Sequence, residues 1–200
     1  MKDAEILQLQ ELLDRLRGGD GAAAEPLFRM AYNQLAAIVR RKKVEFPGLD
    51  RWESTGDILQ ETALRLHTTV IKNPPANSLI FFGLAARITR CVLIDRLRHL
   101  YGPEGHGANH ATQGHDPVGE EPRLLNEGCD QTYDPAPLAE LTELHRQIEA
   151  LPDEERQVVD LVVYQDLTLL QAAKLMACSE RTAKRRWASA RLRLADKLKE

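Results

Sequence analysis

The residues TLLQAAKLMACSERTAKRRWASARLRLADKL, from Thr168 to Leu198, constrain this chain more than any other stretch. Thr168 and Gln171 have the spacing of a capping box, so a helix can start there. Leu169, Ala172, Ala173 and Met176 recur along one side of it. Ala177-Cys178 interrupts the pattern, and Ser179 is a good N-cap for a second helix. On that helix Ala183, Trp187, Ala190, Leu194 and Leu198 fall three or four apart and form a single apolar stripe. Arg181, Thr182, Lys184, Arg185, Arg186, Arg191 and Arg193 lie off the stripe. A short helix, a tight turn and a longer basic helix make a helix-turn-helix.

An amphipathic C-terminal helix with a solvated basic face would share much of this pattern. Three features favour DNA. The first helix is only about two turns long, as in the DNA-binding motif. The basic residues crowd the N-terminal half of the second helix, the end that enters a major groove. They also stand beside Ser179 and Thr182, which are small enough to approach bases and phosphates. The turn is less than ideal, because Ala177 would cost about 1 kcal/mol if its φ is positive.

Two hundred residues suffice for one or two domains with real cores. The net charge is −3, but its distribution is uneven. Residues 1–78 carry no net charge and 79–101 carry +3, whereas 102–137 carry −6, 138–178 carry −5 and 179–200 carry +5. Two basic patches separated by acidic sequence suit two distant surfaces that meet phosphate. Cys91, Cys129 and Cys178 lack CxxC spacing and read as free thiols of a reducing cytoplasm. No signal peptide and no apolar run long enough to span a bilayer is evident, so no membrane association is expected.

Taken in order, residues 4–17 place Ile6, Leu9, Leu12, Leu13 and Leu16 at helical spacing, and Gly18-Gly19 stops that helix. Asp20 can cap the next, which runs through Leu27, Phe28, Tyr32, Leu35 and Ile38. It ends in Arg40-Arg41-Lys42-Lys43, a run as well explained by the helix dipole as by nucleic acid. Phe46-Pro47-Gly48 is a break. A third helix is predicted over 54–70, with Ile58, Ala63, Leu66 and Val70 on its buried face. Asp57, Gln60, Glu61, Arg65 and His67 can lie outside that face. Asn73-Pro74-Pro75 ends it.

Residues 79–100 are strongly helical and follow one side only loosely, which predicts burial on more than one face. Phe81 and Phe82 open this helix, and Arg87, Arg90, Arg96 and Arg98 follow. Aromatics near arginines can stack unpaired bases. They can equally be core residues, and from spacing alone core is the better reading. Residues 102–137 lack periodicity and read as a flexible acidic linker. His106, His110, His115 and Cys129 within it fit no zinc spacing, so no metal and no cofactor is expected. Beyond the linker, Leu141, Leu144, Ile148 and Leu151 give one helix. Pro152-Asp153 starts another, carrying Val158, Val159, Leu161, Val162 and Val163.

The order of these parts resembles bacterial sigma factors of the extracytoplasmic-function (ECF) class, within the sigma-70 family. GDILQETALRL is similar to region 2.2, the helix by which these proteins hold the clamp helices of the RNA polymerase β′ subunit. FFGLAARITRCVLIDRLRHL is similar to regions 2.3 and 2.4, which open and read the −10 element. ALPDEERQVVDLVVYQDLT with SERTAKRRWASAR is similar to region 4, which reads the −35 element. FFGLAARITR and RTAKRRW further resemble a subgroup abundant in planctomycetes. Departures are Cys91 and Ala177, where many relatives carry Asn and Gly, and Gln171, where a Glu is usual. On this resemblance no counterpart of regions 1 and 3 of larger sigma factors is expected, and the linker would replace region 3.

The resemblance implies an all-α fold of two small helical domains. Residues 1–101 would bind core polymerase and the −10 element, 102–137 would be the linker, and 138–200 would be the −35-binding helix-turn-helix domain. It implies a cytoplasmic promoter-specificity subunit, not an enzyme. Its partners would be core RNA polymerase, promoter DNA and, as a further candidate, an anti-sigma factor. Asp57, Gln60, Glu61 and Arg65 would contact polymerase, and Phe81, Phe82, Arg87 and Arg90 the −10 DNA. Ser179, Arg181, Thr182, Lys184, Arg185 and Arg186 would contact the −35 DNA. The rival readings are a helix-turn-helix regulator acting without polymerase and a sigma-like decoy that binds an anti-sigma protein. The Asp57–Arg65 motif argues against the first and the basic helix against the second. No Ser/His/Asp set, phosphate loop or metal cluster argues for catalysis.

Overall fold

Helix boundaries follow the caps and breakers closely. A computed structural model describes residues 3–44, 54–101 and 136–197. Helix α1 (Asp3–Arg17) ends at the Gly18-Gly19 pair, with Gly19 at φ +88. The Asp20 side chain accepts from the Ala22 amide at 3.0 Å and starts a single 3₁₀ turn that leads into α2 (Ala24–Val44). A full capping box opens α3 (Thr55–Lys72): Ser54 Oγ accepts from the Asp57 amide, and the Asp57 carboxylate accepts from the Ser54 amide. Helix α4 (Ser78–Tyr101) follows.

The C-terminal part begins with α5 (Ala136–Ala150) and α6 (Asp153–Val159). The chain continues from α6 into a π turn at Asp160–Tyr164 instead of a longer α-helix. There the Gln165 amide reaches five residues back to the Asp160 carbonyl, at 3.2 Å. The helix-turn-helix is α7 (Leu169–Leu175) and α8 (Glu180–Lys197). Thr168 and Gln171 form the capping box expected of them. The turn is a Schellman cap: the Cys178 amide donates to the Ala173 carbonyl at 3.0 Å, and the Ala177 amide to Lys174 at 3.2 Å. Ala177 pays the left-handed conformation of that cap, with φ +49.

The described residues are all-α, without strands. Helices α1–α4 pack around Leu13, Leu27, Ile38, Ile58, Phe82 and Val92, all essentially inaccessible. Two faces differ in detail from their periodicity. On α2 the buried positions include Ala31 and Val39, while Tyr32 is exposed; on α3, Leu59 and Thr62 are buried as well. Helix α4 buries Phe81, Phe82, Ala85, Ala86, Val92 and Leu93, which covers well over one side, as the loose patterning implied.

A smaller cluster holds the C-terminal helices together. Ile148, Leu151, Val159 and Ala190 form it, with Leu144, Val163, Trp187 and Leu194 packed against them. The apolar stripe of α8 therefore faces inward. The larger core does not stop at α4, however. Leu161, Tyr164, Leu167 and Ala172 belong to the same continuous cluster as the residues of α1–α4. Residues 102–135 of the sequence-defined linker, with His106, His110, His115 and Cys129, lie outside the described residues, as does the Phe46-Pro47-Gly48 break. Positions 136 and 137 of that linker already belong to α5.

Candidate functional site

Helix α8 separates its cations by chemistry. Ser179 caps it by accepting from the Thr182 amide at 3.1 Å, and the two hydroxyls lie 2.9 Å apart. Its inward stripe fixes the rotation, which leaves Arg181, Lys184 and Arg185 exposed on the N-terminal turns. Lys184 pairs with Glu180 at 2.6 Å on the helix surface, a contact of little energetic consequence. Arg181 and Arg185, one turn apart, have no ion-pair partner among the described residues. Arg186 is different. It is only 17% exposed and turns back to Glu154 of α6 at 2.5 Å. Glu155 similarly accepts from Ser189 at 2.9 Å and pairs with Arg193 at 3.0 Å. Arg186 is thus a brace between α6 and α8, whereas Arg181 and Arg185 are free to meet a ligand.

On α3 the four residues expected to share an outward face have unequal roles. Gln60 is exposed. Asp57 is engaged by the capping box, its carboxylate also accepting from Ser54 Oγ at 2.7 Å. Glu61 lies between two guanidiniums, Arg65 at 2.5 Å and Arg96 of α4 closer still. Partial burial opposes the Glu61 charge, but hydrogen bonds from Arg96 and Arg65 outweigh it and hold the carboxyl below its ordinary range. Arg65 also reaches Asp95 at 3.0 Å, and that bond leads in raising its pKa further. Arg65, Glu61, Arg96 and Asp95 form one alternating network that locks α3 to α4 and fixes its charges in place.

The α4 residues are the least accessible of those the sequence singled out. Phe81 and Phe82 are core residues, 5.9 Å apart edge to face. Arg87 is exposed, with Glu149 Oε2 3.9 Å from its Nε. Arg90 is 1% exposed, the largest fully buried side chain among the described residues. Its guanidinium donates to Glu149 of α5 and to Asp160 of the π turn, and lies over the Tyr164 ring at 4.9 Å. Burial disfavours the Arg90 charge, yet Asp160 and its other acceptors outweigh that penalty and raise its pKa. Asp160 is buried too, and one guanidinium serves two carboxylates. Burial therefore pushes the Asp160 carboxyl up to about 6, with Arg90 only partly opposing. In this arrangement Phe81 and Phe82 are closed to solvent within the core, and Arg90 lies beneath Glu149 and Asp160.

Glu149, Asp160 and Tyr164 are the partners that sequence reading missed. Glu149 and Tyr164 looked like ordinary members of their helices, whereas Asp160 stood alone among Val158, Val159, Leu161 and Val162, a signal of a buried carboxylate. No group of side chains suited to a metal occurs among the described residues, and none of their helices is long and apolar enough to cross a membrane.

Comparison with curated proteins gives no match. A family model described as ECF sigma factor matches residues 7–200, nearly the whole chain. That span takes in the capping box of α3, the arginine-bearing α4 and the helix-turn-helix. The chain therefore belongs to the ECF sigma factors, proteins of transcription initiation.

Proposed function

We propose that this chain directs core RNA polymerase to promoters by three surfaces, with α8 reading the −35 element. The observation that carries this reading is the pair Arg181 and Arg185. They are exposed on the first turns of a recognition helix whose opposite side is locked into a core. Arginine there can donate to both acceptors of a guanine, while Lys184 and the Ser179 and Thr182 hydroxyls hold phosphates. Arg186 contributes by setting the pose of α8. The polar side of α3, with Gln60 and the Glu61–Arg65 network, docks on the β′ clamp helices. On the −10 side the exposed Arg87 contacts the DNA, and Arg90, Phe81 and Phe82 hold α4 in shape behind it. An anti-sigma protein is a further partner consistent with the family.

The test is a binding and melting assay with purified core polymerase. The chain should bind core, and the holoenzyme should open a promoter, seen by permanganate reactivity of −10 thymines. Arg87→Ala should reduce opening without changing affinity for core. A chain that binds −35 duplex but not core polymerase would leave the regulator reading instead.

A further inference from the structure

Helix α6 opens without the local bond that its third residue would ordinarily make. Its N-cap, Pro152, has no backbone N–H, so the Glu155 carboxylate, placed where a capping box reaches back, finds no amide there. The backbone of this turn is fixed all the same. The Glu155 amide donates to the Pro152 carbonyl at 2.9 Å, and Arg156 donates to the Glu149 carbonyl at 3.2 Å and to the Asp153 carboxylate at 2.6 Å. The Glu155 side chain turns instead to α8 and is only 12% exposed. Its Oε1 accepts from Ser189 Oγ at 2.9 Å and from Arg193 Nε at 3.3 Å, and its Oε2 lies 3.0 Å from the same Nε. One carboxylate thus spans two successive turns in the C-terminal half of α8. The apolar stripe beneath resists tilting less well. Its fully buried members, Ala183 and Ala190, offer only methyl groups, and Trp187 and Leu194 are partly buried. Arg181 lies about 12 Å along the helix axis from Ser189. A swing of about 5° about Ser189 would carry it about 1 Å, more than the roughly 0.5 Å that a recognition site tolerates.

We propose that Glu155 is a positioning residue for promoter recognition: its grip on Ser189 and Arg193 sets the tilt of α8 and so determines which bases Arg181 and Arg185 meet. Glu155 acts through the helix and not on DNA. The grip lies along the side of α8 that carries Arg186, Ser189 and Arg193, away from the exposed Arg181 and Arg185. The Arg186–Glu154 pair extends the same side, but Glu154 is 67% exposed and solvent weakens that contact. Arg193, counted by sequence among the cations of the basic face, is in this arrangement a tether to α6. The inference rests on the −35-reading role proposed above for α8.

Transcription by the full chain with core polymerase, on promoters varied singly across the −35 element, tests it. A lower folded fraction scales the transcript from every promoter alike and leaves the ratios between promoters unchanged, whereas a changed tilt alters the ratios. Glu155→Ala should lower the preference at the base pairs met by Arg181 and Arg185 by about fivefold. Glu155→Gln, which keeps an acceptor for Ser189, should restore it. Parental ratios in Glu155→Ala, or ratios blurred as fully in Glu155→Gln, would overturn the proposal. If Glu155→Ala does not fold, Ser189→Ala removes the same hydrogen bond from the other side and should blur the ratios likewise; parental ratios there would overturn the proposal. A parent chain without any −35 preference would count against the promoter role, and a second measurement then decides the grip. With Cys91, Cys129 and Cys178 replaced by Ser and spin labels placed at Glu140 and Lys184, Glu155→Ala should broaden the interlabel distance distribution at unchanged helicity, and Glu155→Gln should narrow it again. A distribution unchanged by Glu155→Ala would overturn the grip.

Discussion

Ala177 occupies a backbone position that a residue with a Cβ adopts only at a cost. Its φ of +49 is imposed by the Schellman cap joining α7 to α8. Ala177→Gly should therefore stabilise the chain by about 1 kcal/mol, seen as a rise in thermal midpoint. An unchanged or lower midpoint would mean the cap does not govern this turn. Trp187 is the opposite case, a large side chain packed on the Ile148, Leu151 and Val159 cluster. Trp187→Ala should cost about 3 kcal/mol, read from denaturant unfolding. Asp57 shows how a residue can look purely functional and still be structural. Its carboxylate completes the capping box of α3, so Asp57→Ala should lose about 1 kcal/mol whatever it does to polymerase binding. Gln60, exposed and outside the box, is the cleaner probe of that face.

At the scale of single elements, α8 divides its work along its length and around its axis. Arg181→Ala or Arg185→Ala should relax preference at particular −35 base pairs by about 1–3 kcal/mol each. Lys184→Ala should weaken all duplexes alike and lower the salt slope by about 1. Arg186→Ala should act mainly on stability, through the lost Glu154 contact. Duplex binding over single-base variants, with circular dichroism on each protein, separates these outcomes. Much of this element was legible in the sequence. Thr168 with Gln171 and Ser179 marked both helix starts, and the Ala183–Trp187–Ala190–Leu194 stripe gave the rotation. The stripe could not show that Arg186 turns back to α6, because that depends on where Glu154 lies. The π turn was not legible either. Val158 to Val163 reads as one apolar stretch broken only by Asp160, and nothing local distinguishes a π turn from an α-helix there. Phe81 and Phe82 read more truly by spacing than by the chemistry of aromatics near arginines.

At the scale of the whole molecule the two helical blocks share one core, and Arg90 stands at the seam. No periodicity could reveal this, since the seam joins residues some seventy positions apart. The seam should respond to pH. Facing Asp160 are Arg90 of α4, Glu149 of α5 and Arg156 of α6. The Asp160 carboxyl sits at about 6 with the two blocks packed together, and near its ordinary 3.8 once solvated. The packed arrangement thus holds the proton more tightly. Its stability grows as pH falls through 6 and is lost as pH rises through that value, by roughly 3 kcal/mol in all. Small-angle scattering should find the free chain more compact at mildly acidic pH than at neutral pH, with that difference absent in Asp160→Asn. The reverse trend would contradict the placement of Asp160.

The central claim is that this chain gives core polymerase its promoter choice through α8. In vitro transcription with purified core polymerase on a promoter library randomised across the −35 element measures it most directly. The parent chain should yield transcripts from a defined −35 motif, and Arg181→Ala and Arg185→Ala should each shift the motif at distinct positions while preserving transcription. Transcripts with no −35 preference, or a preference untouched by both substitutions, would contradict the account.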